Sequence, residues 1–537
     1  MIAVSVTFNS QKKPYLNIGN LKDLIKKYKM EAIMKIKRII SLILCLIMAL
    51  PVISCSNTAD PAEGSSYETT KAPAATVAPD TSAVVEETES PYDENGFLKS
   101  SLPEELDFGG EKVTVLWWTD VENPEFFVEN TNGEIINDAI YQRNANVESQ
   151  LGITFEWVGI KGQYNNNVGA NYANHVGNQY AAGDTTYDII SAHSCTIALT
   201  SMYGYCADLM KAKYFDFEKP WWPEVMIETA MIGDKMYFVS GDISTNSIHQ
   251  MYAVFYNKNL FKNYPDLTEP SKYVLDNNWN IETFQLLTKD MYQDLDNSNS
   301  ANENDFYGMS TLWWHFDSLY YGSGLRQAEK DPENLFKISD DYFGDKAIDL
   351  SDSIGAWVTT GTVYVDNTKY HKVFCNGNAL MSLARHHDIA NYLTGDFTHG
   401  IVPVPKYNND QENYITLVGN PISFYSIYAL SEDIDRAAAV LECWASEAYR
   451  LTSPAVFETT FKLRYSDTSV ESQMYDIIRA GIVFDFGRLF NDTLGNMSGQ
   501  WSWGASKATS WATASKPYTR TLPKLLKDIT DSFKALN

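Results

Sequence analysis

The sequence predicts an α/β protein of two or more lobes with largely parallel sheets. Its 537 residues exceed what one hydrophobic core organises, since cores stop growing near roughly 250–300 residues. From residue 111 onward, short strand signals alternate with helical periodicities, the pattern of βα units. A hydrophobic fraction of 44% against 20% charged residues suits a folded chain. The net charge of −26 comes without a Lys/Arg cluster beyond the N-terminal segment. That argues against nucleic acid as a partner, because phosphates demand such clusters. Aromatics reach 13%, with 13 Trp and 33 Tyr, enough to pack cores and still line a binding cleft.

Residues 34–55 read MKIKRIISLILCLIMALPVISC. Lys35, Lys37 and Arg38 precede an apolar run from Ile39 to Ile53, shorter than the roughly 20 residues of a spanning helix. That order marks a secretory signal. Val52-Ile53-Ser54-Cys55 resembles the lipobox of bacterial lipoprotein signals. The resemblance implies cleavage before Cys55 and a diacylglycerol on its sulfur, which would hold the protein on the outer face of the cytoplasmic membrane. A non-lipidated signal or an N-terminal anchor is the alternative. Residues 1–33 carry no second targeting pattern, and Met30 or Met34 would serve as a start, so they are expected to be an upstream extension. The signal is assigned to 34–54, and the lipidated cysteine with an acidic Ser/Thr/Pro linker to 55–105. Residues 56–95 almost lack large apolar side chains and are expected to form a disordered stalk.

The fold is expected from about Leu106. Residues 111–120 read as a strand ending in Trp117-Trp118, and Ile136, Ala139, Ile140, Val147 and Leu151 fall at helical spacing over 133–152. Residues 153–160 alternate as a strand, and 185–193 form another ending near Ser191 and His193. Residues 233–261 give two strand signals about a polar turn, then an extended run to Tyr256-Asn257-Lys258. Over 278–295, Asn280 is the expected N-cap, and Phe284, Leu287, Met291 and Leu295 repeat at helical spacing. Asn376-Gly377-Asn378 makes a turn before a buried strand, and Pro403 and Pro405 place 400–408 at an edge or lobe crossing. Ser431 is expected to cap a helix over 431–449. Residues 469–537 read as mostly helical, interrupted by FDFGRLFNDTLGNMSGQWSWGAS.

In this order the residues resemble the extracellular solute-binding proteins of ABC importers, family 1, which include many carbohydrate binders. Arg143, Asn146, Val147 and Glu148 before Leu151-Gly152-Ile153 are similar to the family's helix-to-strand passage. Tyr187-Asp188-Ile189-Ile190 is similar to its next strand, and Gly233 to Tyr237 followed by Tyr256-Asn257-Lys258 to its hairpin and crossover. Trp279-Asn280 with Phe284, Gly377 to Met381, and Pro403 with Pro405 match further family positions, although Asn378 replaces the family's lysine. The resemblance implies a two-lobed periplasmic-binding-protein-like (type II) fold with hinge crossovers. Lobe 1 would span 106–245, lobe 2 would span 246–405, and 406–537 would return to lobe 1 as a helical C-terminal part contacting both lobes. It further implies a monomer that captures a small polar solute, a mono- or oligosaccharide first, and passes it to membrane permease subunits without catalysis or cofactor.

Sugars stack on aromatic faces and pair their hydroxyls with polar side chains. Candidate contacts are therefore Trp117, Trp118, His193 and Ser194 at strand ends, Asp242 in the SGDIS turn, Trp313 and Trp314, Arg385 after a buried strand, and Trp501 and Trp503 in a Gly/Ser-rich loop. One Trp of each pair is expected to face the core, and a structural ion pair is the competing role for Arg385. Asp294, Asp296, Ser298, Ser300, Asn302 and Asp305 fall at the offsets of a calcium loop. Asn299 replaces its glycine and Asp305 its bidentate glutamate, so a solvated Asx-rich turn is the stronger reading. Cys195, Cys206, Cys375 and Cys443 show no metal or redox spacing; whether Cys195 and Cys206 pair is open. Patterns for a nucleophile elbow, a zinc helix or a P-loop are absent. A surface carbohydrate-active enzyme or a non-transport sensor on the same fold is the rival reading.

Overall fold

The computed structural model describes residues 90–536, apart from 94–95, 166, 393–397 and 464–468. Residues 1–89, which include the expected export signal, Cys55 and most of the expected stalk, lie outside the described residues. Three βα repeats build the first sheet: β1 (Glu111–Trp118), α1 (Ile135–Leu151), β2 (Ile153–Ile160), α2 (Val168–Ala182), β3 (Ile189–His193) and α3 (Ser194–Met202). β1 pairs in parallel with both β2 and β3. Its Val113, Val115 and Leu116 are fully buried, as expected of a strand covered on both faces. A first crossover over 244–251 then enters β4 (Tyr252–Asn257).

The second sheet repeats the plan. It comprises α4 (Ile281–Leu287), β5 (Tyr307–Thr311), α5 (Phe316–Gly322), α6 (Asp345–Thr359), β6 (Val363–Val365), β7 (Ala379–Arg385), α7 (His386–Tyr392) and β8 (His399–Val402). A second crossover through 418–422 returns to β9 (Ser423–Ile427), and α8 (Ile434–Arg450) follows. The strand orders are β2-β1-β3-β9 and β6-β5-β7-β4-β8. Val239 bridges Tyr425 on the outer side of β9, so both sheets run second, first, third, exchanged strand, fourth. The exchanged strands are the antiparallel ones, β9 against β3 and β4 against β7 and β8. Each lobe thus holds a strand delivered by a crossover from the other. The chain closes with α9 (Ser469–Ala480), α10 (Phe486–Leu489), α11 (Met497–Ser506) and α12 (Tyr518–Lys534). From α12, Phe533 packs on Tyr237 at 5.7 Å and Lys534 pairs with Glu333 at 3.2 Å.

Three local readings change. Chain packing starts upstream of Leu106: Tyr92 bridges Leu98, and the Phe97 ring meets Tyr449 at 5.8 Å. Phe97 and Leu98 are the apolar residues in that polar stretch, and Arg450 donates to the Leu98 carbonyl at 2.8 Å. Asp433 rather than Ser431 caps α8, accepting from the Arg436 amide at 2.9 Å; Ser431 donates instead to Asp188. Asn280 caps α4 through the Thr283 amide at 2.9 Å, but the helix stops at Leu287. Asp290, at φ 58°, turns the chain, so Met291 and Leu295 lie beyond it.

The loop after β1 meets both crossovers. Buried Arg143 donates to the carbonyls of Glu125 and Phe126 at 2.8 and 2.7 Å, and Asn144 to that of Phe126 at 2.8 Å. The loop is thereby shaped so that the buried Glu125 carboxylate accepts from Ser244 Oγ at 3.0 Å, Thr245 Oγ1 at 3.4 Å and the Asn246 amide at 2.9 Å. It also accepts from Ser423 Oγ, which itself accepts from Trp118 Nε1 at 2.8 Å. Ser244 to Asn246 open the first crossover and Ser423 ends the second. Burial raises the Glu125 pKa, and these donors oppose the rise.

Glutamine at 125 keeps the shape but replaces one acceptor oxygen with a donor. Glu125→Gln is therefore expected to lower the unfolding free energy by about 2 kcal/mol. The control Glu156→Gln, an exposed partner of Lys112, is expected to stay within about 0.5 kcal/mol. Urea unfolding of both variants checks this, and equal effects would remove Glu125 from its place in the hinge.

Candidate functional site

The carboxyl ends of β3, β5 and β7 face a cavity of about 330 Å³. This is where open α/β sheets place their ligands. His193 ends β3 and lines the cavity. The Cys195 amide donates to its Nδ1 at 3.2 Å, which leaves the proton on Nε2. Burial, then Arg488 and Arg385, hold its pKa down to about 3, so the ring is neutral. Tyr164 stacks on it, centroids 5.7 Å apart.

Two guanidiniums face the cavity, each already paired. Arg385, at the end of β7, forks onto Asp388 at 3.0 and 2.8 Å. Its Nη1 donates to Gln250 of the first crossover at 2.7 Å and lies 3.4 Å from Glu122 of the β1 loop. Gly419 of the second crossover permits this approach: a Cβ there would sit 2.9 Å from Arg385 Cδ. Arg488, from α10, donates to Asp317 of α5 at 2.6 Å and to the Val418 carbonyl at 2.8 Å. Trp314, just beyond β5, supplies an apolar ring to the lining. Cys195 also reaches the lining, but burial pushes its thiol up to about 12, so it is a poor nucleophile. The arrangement offers fixed donors and acceptors, balanced charge and the rings of Trp314, Tyr164 and Tyr252, which is the chemistry of binding.

No protein-family model matches the chain, and no curated protein matches it. Among solved structures, a cyclo/maltodextrin-binding protein complexed with maltotetraose superposes with a TM-score of 0.53 at 12% identity, covering 78% of this chain and 97% of that one. The fold is periplasmic-binding-protein-like. Weaker likenesses include the maltose-binding periplasmic protein from Listeria monocytogenes in complex with maltose, with 14% identity, 79% and 97% coverage and TM-score 0.49. The Thermus thermophilus maltotriose binding protein bound with maltotriose gives 14% identity, 79% and 99% coverage and 0.43. The fold assignment rests on the first.

In this periplasmic-binding-protein-like frame, His193, Trp314 and Arg385 line one cavity. Ser194 lies beneath it, donating to the Asn420 carbonyl at 2.8 Å. Trp313 packs edge-on against Trp314 at 5.1 Å and against Trp503 at 5.2 Å; neither Trp313 nor the 47% exposed Trp503 lines the cavity. Four other candidates sit elsewhere. Trp118 is fully buried in the hinge network, and Trp117 packs on Phe126 and Phe127 at 5.4 and 5.3 Å, because adjacent strand residues face opposite ways. Asp242 pairs with Arg479 at 3.2 Å beside a separate cavity of about 260 Å³. Trp501 is buried within helix α11, not a loop, and donates to the Ala347 carbonyl at 3.2 Å.

Sequence reasoning missed Glu122, Tyr164, Arg488 and Asp492. Only Arg488 carried a signal, a lone cation inside the apolar FDFGRLF run. In the calcium-like loop, carboxylate oxygens of Asp294, Asp296 and Asp305 lie within 4.8 Å of one another. The loop's own groups satisfy them: the Ser298 amide donates to Asp296 at 3.0 Å, the Asn299 amide to Asp294 at 2.9 Å and the Asn302 amide to Asp305 at 2.9 Å. The Asn302 side chain also donates, to Asp296 at 3.2 Å, and Ser298 Oγ is directed to the Ser300 carbonyl. This is a self-satisfied Asx turn, with Asn297 and Asn299 in the left-handed region. The four cysteines are free and buried.

His315 backs the cavity, its Nδ1 3.0 Å from the Leu383 carbonyl. Burial holds its pKa down to about 4 against the raising effect of Asp388. Its folded pKa thus lies below the ordinary value near 6.5, so the unfolded chain binds more protons at acid pH. Stability from the neutral ring is complete above about pH 6.5 and is lost as pH falls toward the folded value, by at most about 1.4 kcal/mol per pH unit. His315→Gln is expected to destabilise at pH 7.5, with the gap to wild type narrowing at pH 6.0 and 5.0. Urea unfolding at the three values checks this, and a pH-independent gap would contradict it.

Proposed function

We propose that this chain is an extracellular, lipid-anchored solute-binding protein that captures a mono- or oligosaccharide between its lobes and delivers it to an ABC importer permease. The observation that carries the reading is the cavity itself, lined by His193 of one lobe, Trp314 and Arg385 of the other, and Asn420 between them. A ligand there gains contacts on both sides together, so it favours the closed arrangement of the lobes. A sugar face fits Trp314, and its hydroxyls fit Arg385, Asp492 and the His193 N–H. A protein of the same fold is complexed with maltotetraose, which supports the sugar class.

The test is a thermal-shift and tryptophan-fluorescence screen of saccharides, amino acids and short peptides, with each ligand recovered afterwards. A saccharide is expected to stabilise the protein, by about 2.7 kcal/mol at a hundredfold excess over Kd, and to be recovered unchanged. Trp314→Ala and Arg385→Met are each expected to weaken its binding at least tenfold, about 1.4 kcal/mol. Stabilisation by amino acids or peptides alone, or consumption of the sugar, would overturn the reading. The anchor has its own test. Cys55→Ala is expected to release the protein from membranes, where more than one acyl chain is needed for stable attachment, with saccharide affinity unchanged. Loss of affinity in that variant would place Cys55 in the fold.

A further inference from the structure

We infer that the segment over 485–496 is an end wall of the cleft, and that it restricts the ligand to one or two sugar rings, with Asn491 and Asp492 setting that limit. This rests on the saccharide reading. Arg488, Asn491 and Asp492 all line the cavity, yet they follow α9, far along the chain from the strands whose ends form the rest of the site.

The wall is a built feature. Asp485 accepts from the amides of Gln327 and Gly487 at 2.9 and 2.8 Å, and the Phe486 ring stacks on Phe336 at 3.9 Å. Arg488 ties it to α5 through Asp317 at 2.6 Å and to the second crossover through the Val418 carbonyl at 2.8 Å. The Asn491 side chain is held at both ends, donating to Asn496 at 2.7 Å and accepting from the Ser498 amide at 2.9 Å. The Arg488 carbonyl of the wall accepts from Cys195 Sγ of lobe 1 at 3.9 Å. A segment held from both lobes and a crossover does not swing aside to admit a longer chain.

Size and surface agree. The cavity measures about 330 Å³. The volume sits at the low end of the roughly 300–1,000 Å³ of small-molecule sites. Stacking surface is short too: Trp314 is the one tryptophan among the described residues that lines the cavity, and Tyr164 already covers His193. The fold does not impose this limit, because a protein that shares it is complexed with maltotetraose.

The experiment is calorimetric titration of the purified protein with one-, two- and four-ring members of the gluco-, galacto-, manno- and xylo-oligosaccharide series. In the series that binds, a one- or two-ring member is expected to bind at least tenfold tighter than the four-ring member. Asn491→Gly combined with Asp492→Gly is expected to narrow that preference at least fivefold, with the four-ring sugar bound more tightly than by wild type even as the short sugars lose their Asp492 contact. Wild-type binding of the four-ring sugar as tightly as the shorter ones would overturn the wall and leave the saccharide reading intact. An unchanged preference in a folded double variant, judged by circular dichroism, would likewise overturn it. Should the variant not fold, the wild-type length series decides alone. Silence toward every series would overturn the saccharide reading and this inference together.

Discussion

The buried carboxylate of Glu125 is the constraint on which the cleft depends. Two sheets that each borrow a strand from the other lobe must route two crossovers through one small volume. Glu125 gathers Ser244, Thr245 and Asn246 of one crossover and Ser423 at the end of the other. A carboxylate removed from water is costly unless its lone pairs are occupied, and here four donors occupy them. Arg143 acts one step back by holding the Glu125 and Phe126 carbonyls. The same loop carries Glu122 to within 3.4 Å of Arg385, so the geometry of the cleft mouth follows from the hinge.

Charge in the cleft obeys a related rule. Arg385 is neutralised by Asp388 and faces Glu122, and Arg488 is neutralised by Asp317. Burial raises the Asp388 pKa, but Arg385 outweighs it and holds the carboxyl down to about 2. Such buried pairs add little net stability; their contribution is to fix guanidinium planes as hydrogen-bond donors of set direction. A neutral polyhydroxylated ligand would meet these groups without disturbing their partners.

The sheets were largely legible in the sequence. β1, β2 and β3 announce themselves by apolar or alternating runs, and the Asn280 cap by side-chain chemistry that acts over three residues. Signals fail where the deciding contact is distant. Glu125 is one of 68 acidic residues, and nothing near it shows that it serves Ser423. Strand alternation says that Trp117 and Trp118 face opposite ways but not which faces a ligand. The Gly/Ser content around Trp501 suggested a loop, yet small residues let α11 pack closely on α6; a Cβ at Gly355 would lie 2.7 Å from Ala508 Cα. Calcium-loop spacing was matched at the level of offsets, while the loop's amides satisfy the carboxylates. Tyr164 and Asp492 reach the cavity only through tertiary packing.

The central claim is that the polyhydroxylated ligand occupies the space between His193 and Trp314. A crystal structure of the protein grown with its most stabilising saccharide tests that directly. The expected result is a sugar ring against Trp314, with hydroxyls bonded to Arg385 or Asp492. A sugar bound instead beside Asp242 and Arg479, or on the outer surface of either lobe with this cavity left to solvent, would contradict the account.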